Sequence, residues 1–64
     1  MDKVQRKTEV RRFARWARES LRELEAALRA DDLDEAIQMA AEASGFCGEA
    51  ENILRDQAGQ VAID

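Results

Sequence analysis

Between Val4 and Ala30 the apolar positions recur at helical spacing: Val10, Ala14, Ala17, Leu21, Leu24 and Leu28 step by four, three, four, three and four. That is a heptad seam. Phe13, Ser20 and Ala27 lie beside it and widen the stripe toward the face of a bundle helix. The stretch Arg29-Ala30-Asp31-Asp32-Leu33-Asp34-Glu35 then breaks the pattern and supplies a helix start. Asp32 is its N-cap and Glu35 its capping-box partner. The carboxylates here suit the positive end of a second helix dipole, as Arg29 suits the negative end of the first.

In the second helix the apolar residues fall into two adjacent rows. One is Ala36, Met39, Ala43, Phe46, Ala50 and Ile53; the other is Leu33, Ile37, Ala40, Ser44, Cys47 and Leu54. Together they span more of the circumference than one neighbouring helix covers. Gly45 and Gly48 predict a kink or break at 44–48, because an interior glycine costs roughly 0.5–1 kcal/mol relative to alanine.

These patterns predict an all-α chain forming one domain over 1–64. It is an antiparallel two-helix hairpin with helices at about 3–30 and 33–57 and a frayed tail at 58–64. A hairpin buries only the inner strip of each helix, so the second row calls for another surface. Two hairpins pairing as a homodimeric four-helix bundle would supply it, with Leu21, Leu24, Leu28, Ile37, Met39, Phe46, Cys47, Ile53 and Leu54 at the dimer interface. A different protein accepting the same face is the competing arrangement.

Length sharpens that expectation. A chain of 64 residues removes only about 60% of its unfolded surface from water, and such chains rely on disulfides, metals or association. One cysteine and no histidine leave no internal disulfide and none of the usual zinc ligand sets. Cys47 reads as a small buried apolar residue, and a lone thiol fits a reducing cytoplasm. No apolar run is long enough to cross a bilayer, so no membrane partner is expected.

Charge is segregated along the chain. The first 22 residues carry +5 and the remainder −9, within a total of −4. Lys7, Arg11, Arg15, Arg18, Arg22 and Arg29 form one band along a flank of the seam. That band reads first as a solvated flank balancing the acidic second helix, and second as a phosphate-binding face for RNA. Phe13 and Trp16 project to the opposite flank, with Arg12 near Trp16, so base stacking interleaved with the basic band is not indicated. Phe13 reads as core. Trp16 reads as a bundle-rim residue or, with Phe13 and Arg12, a protein-binding anchor.

Glu35, Glu42, Glu49 and Asp56 recur every seven residues on the back of the second helix. Neighbours in that row stand about 10 Å apart, too far to share one cation. The row reads as a solvated face, with engagement of a basic protein surface as the alternative. No phosphate loop, nucleophile–base pair or metal-ligand cluster is visible, so neither catalysis nor a cofactor is expected.

Lys7-Thr8, the Arg12-Phe13 pair ahead of Arg15 and the acidic turn Asp31-Asp32 are similar to stretches of the Rop-type plasmid RNA-binding proteins. The resemblance is confined to roughly the first half of the chain and needs a small gap. It implies an antiparallel four-helix-bundle homodimer and an RNA-facing first helix in which only Phe13 maps acceptably, since Glu9, Ala17 and Leu24 occupy the neighbouring polar positions. The leading expectation is a non-catalytic accessory or regulatory protein acting by protein–protein binding, as an adaptor or a phage- or plasmid-type inhibitor. The alternative is a Rop-like RNA regulator using Lys7, Arg11, Phe13, Arg15, Arg18 and Arg22.

Overall fold

The computed structural model describes residues 2–63, with side chains described as far as Asp56. It contains two helices, α1 (Lys3–Arg29) and α2 (Leu33–Ile63), packed against each other as a hairpin. Asp2 caps α1 through a capping box: its carboxylate accepts from the Gln5 N–H at 2.8 Å, and its own N–H donates to Gln5 Oε1 at 3.3 Å. Gln5 precedes the apolar repeat, so the periodicity carries no sign of this cap.

The reversal takes three residues. Asp31 adopts a left-handed backbone at φ 55°. The Asp31 N–H donates to the Leu28 carbonyl (3.2 Å) and the Asp32 N–H to the Ala27 carbonyl (2.9 Å), the paired closure of a Schellman motif. Asp32 then caps α2, its Oδ1 accepting from the Glu35 N–H at 3.2 Å. The Asp32 N–H is already committed to Ala27, which leaves the Glu35 carboxylate no reciprocal donor at the cap.

Between the helices the contact is made of small side chains. Ala17, Ser20 and Ala27 of α1 and Ala36, Met39 and Ala43 of α2 are buried, and Val10, Phe13, Leu24, Phe46, Ala50 and Ile53 are half-buried around them. The α1 seam is therefore Val10, Phe13, Ala17, Ser20, Leu24 and Ala27. Compared with the spacing-derived seam it keeps Val10, Ala17 and Leu24 but exchanges Ala14, Leu21 and Leu28 for their preceding neighbours. Helix separation depends on the side chains at the contact, and Ser20 and Ala27 permit a closer approach than Leu21 and Leu28. The two leucines are turned outward, 46% and 53% exposed.

Three further expectations need correction. No break occurs at 44–48: α2 is one continuous helix through both glycines. A Cβ at Gly45 or Gly48 would meet nothing within 4 Å, so neither glycine is required by a neighbouring atom of the chain. Cys47 is exposed in the single hairpin, on the outward row of α2, so α1 does not supply the burial expected of it. The α2 assignment also continues to Ile63 rather than stopping at 57, in a chain with no proline to end it. The frayed tail expected over 58–64 lies outside the residues whose side chains are described.

The hairpin measures 50 × 18 × 11 Å, so its thin dimension is one helix diameter. Its radius of gyration is 14.9 Å, where a compact chain of this length has about 11 Å. Among the described residues no large side chain is fully buried.

Candidate functional site

Two faces of different chemistry lie on opposite sides of this single layer. The first is aliphatic. Ala14, Leu21 and Leu28 follow one another every seven residues along α1, and Leu33, Ile37, Ala40, Ser44, Cys47 and Leu54 form the outward row of α2; all are exposed. Leu33, Ile37 and Leu54 are 65%, 67% and 52% exposed, far above the ordinary state of large aliphatic side chains. At the centre, Ala14, Cys47, Ala50, Glu51, Leu54 and Arg55 line an open groove of about 420 Å³. Arg55 spans its edge, donating to Glu51 Oε2 from two guanidinium nitrogens at 2.7 and 3.1 Å.

This geometry divides the nine residues assigned to a dimer interface. Leu21, Leu28, Ile37, Cys47 and Leu54 lie on the outward face. Met39 is buried, and Leu24, Phe46 and Ile53 are half-buried at the seam, so these four serve the hairpin's own packing. Periodicity alone could not divide them, because both α2 rows are equally apolar.

The second face is aromatic and acidic. Phe13 and Trp16 meet edge to face at 5.4 Å between ring centroids and 82° between planes. Phe46 of α2 joins them, 5.6 Å from Trp16 and 6.4 Å from Phe13. Such ring pairs contribute roughly 0.5–1.5 kcal/mol each beyond area burial and tie the middle of α1 to the middle of α2. Trp16 stays 37% exposed. Beside it Phe13, Glu42, Gly45, Phe46 and Glu49 line a groove of about 370 Å³. The missing side chain at Gly45 leaves its floor open, a role that the sequence did not disclose. Arg12 lies on the α1 side, paired with Glu9 at 3.2 Å.

The basic band runs along the outer edge of α1. Lys7, Arg11, Arg15, Arg18 and Arg22 are exposed, and none of them makes an ion pair with another described residue. Arg11, Arg12 and Arg15 surround a shallow hollow with Thr8. Phe13 is turned into the seam rather than toward this band, so the six residues named for RNA recognition do not form one surface.

Among the described residues no group of His, Cys, Asp or Glu is arranged to hold a metal ion, and no helix is long and apolar enough to cross a membrane. No family model, curated protein or solved structure matches the chain.

Proposed function

We propose that this protein is a non-catalytic accessory or regulatory module that acts by binding other protein surfaces, as adaptors and small inhibitors do, and that it works as a homodimeric four-helix bundle. The observation that carries this reading is the one-layer shape with an aliphatic face on its outside. Stable domains stack at least two layers around a core, and this hairpin supplies one. Its accessible surface is 5060 Å², against about 4,100 Å² for a compact chain of the same mass. The excess, roughly 900 Å², is close to the ~800 Å² per partner that a standard interface covers. Two slabs each 11 Å thick and 18 Å wide, stacked on these faces, have the cross-section of a four-helix bundle. The Rop-like stretches favour the same plan. An exposed thiol without a disulfide partner suits a cytoplasmic setting.

Sedimentation equilibrium tests the assembly. The wild-type chain should sediment as a dimer at micromolar concentration, and Leu21→Glu with Ile37→Glu should abolish it. A stable, well-folded wild-type monomer would remove this reading. Affinity capture repeated with Trp16→Ala tests the anchor, which fails if partner recovery is unchanged.

A second reading, RNA binding, rests on one observation: Arg11, Arg15, Arg18 and Arg22 line a single edge of α1 without an ion pair to another described residue. It expects structured RNA to bind with an affinity that falls steeply with salt and is lost in Arg15→Glu plus Arg18→Glu. Absence of binding at low salt excludes it.

A further inference from the structure

We infer that the aromatic groove between Phe13, Phe46 and Gly45 is a docking site for a basic amphipathic helix of another protein. The inference rests on the reading of this chain as a protein-binding module and names the chemistry of the partner.

Shape, apolar character and charge converge at this place. The groove is shallow and open, lined by Phe13 of α1 and by Glu42, Gly45, Phe46 and Glu49 of α2, with open space beside Gly45. Trp16 and Phe46 are in ring contact beside it, and Trp16 keeps more than a third of its surface in water. A half-exposed cluster of this kind accepts an apolar side chain or the stem of a lysine or arginine, and exposed tryptophan is enriched among interface hot spots.

Charge then selects among apolar helices. Glu42 and Glu49 line the groove itself, and Glu35 and Asp56 continue the same row one heptad to either side. With about 10 Å between successive carboxylates, the row matches lysines or arginines carried every seventh position on a helix lying along the groove. Arg12, the nearby cation of α1, is already paired with Glu9. A cationic head above these rings would also gain from cation–π attraction.

A second copy of the chain is a poorer occupant. A two-fold pairing through this face presents the same surface on both sides and brings two acidic rows together. On the aliphatic face the second helix row carries no such line of acids, so self-association and partner docking take opposite sides of the hairpin.

The sole tryptophan makes the site directly observable. The experiment titrates the full-length protein at low salt with a synthetic three-heptad helix bearing leucines on one stripe and lysines at every seventh position beside it. Trp16 emission and calorimetry are recorded together, and the same helix with glutamates in place of lysines is the comparison. The lysine helix should shift Trp16 emission and bind at least about tenfold more tightly than the glutamate helix. Glu42→Lys should cost about fivefold in affinity for the lysine helix, while the charge-matched Glu25→Lys, on α1 and outside the acidic row, should change it little.

Equal binding of both helices, or equal losses in both charge variants, would reduce the effect to general electrostatics and overturn the inference. Sedimentation of the same samples reads assembly separately. Dimers that ignore the lysine helix overturn the groove alone, whereas folded monomers that bind it through Glu42 support the groove and remove the dimer.

Discussion

Asp31 and the two α2 glycines are the positions where backbone conformation and residue type disagree most. At φ 55° Asp31 occupies the C′ position of the Schellman turn, where glycine carries no Cβ penalty. Asp31→Gly is expected to raise stability by about 0.5–1 kcal/mol, read from the urea midpoint at unchanged slope. The reverse holds in α2. Gly45 and Gly48 sit in a continuous helix with open space where a Cβ would be. Each glycine-to-alanine change there should stabilise by roughly 0.5–1 kcal/mol in the same measurement. Loss of stability at either position would mean that something outside the single hairpin approaches that glycine closely.

At the scale of the helices, the heptad steps located α1, and the Asp-rich break located the reversal, with α2 starting at Leu33 as expected and α1 ending at Arg29, one residue short of the expected bound. The rotation of the α1 seam was not legible. Apolarity ranks Leu21 and Leu28 above Ser20 and Ala27, yet close helix contact favours the smaller pair. In α2 the two rows are alike in composition, and only their position relative to α1 separates Met39, which is buried, from Ile37, which is 67% exposed. The aromatic face escaped a periodic reading for a related reason. Phe13, Trp16 and Phe46 meet across two helices, and no spacing within one helix records that. If a small-residue seam sets the interhelix distance, enlarging it must strain the pair. Ala36→Leu, at a position 7% exposed, should cost about 1–3 kcal/mol despite greater apolarity, whereas Ala40→Leu on the outward row should not. Thermal melts of the two variants make the comparison.

For the whole molecule the governing fact is the 11 Å thickness. Among the described residues this layer fully buries no large side chain, so if hairpins pair as proposed, stability and association become one equilibrium, dependent on protein concentration. Cys47 reports on it. The thiol is exposed in one hairpin and shares its groove with Ala14 and Leu54. Its rate of reaction with a thiol reagent should therefore fall as protein concentration rises through the association range, and Leu21→Glu should restore the fast rate at every concentration. A rate independent of concentration would place the second layer elsewhere.

The three-residue reversal also orders events in time. Ala27 and Ala36, both buried, are separated by only nine positions across the turn, whereas the ring contact of Phe13 with Phe46 must close thirty-three. Loop-closure entropy grows with that length, so the hairpin is expected to zip from the Asp31–Asp32 corner outward, with the ring cluster joining late. Lesions at the corner should then slow folding, while lesions among the rings should chiefly hasten unfolding. The recognition surface would be the last part of the hairpin to form and the first to open.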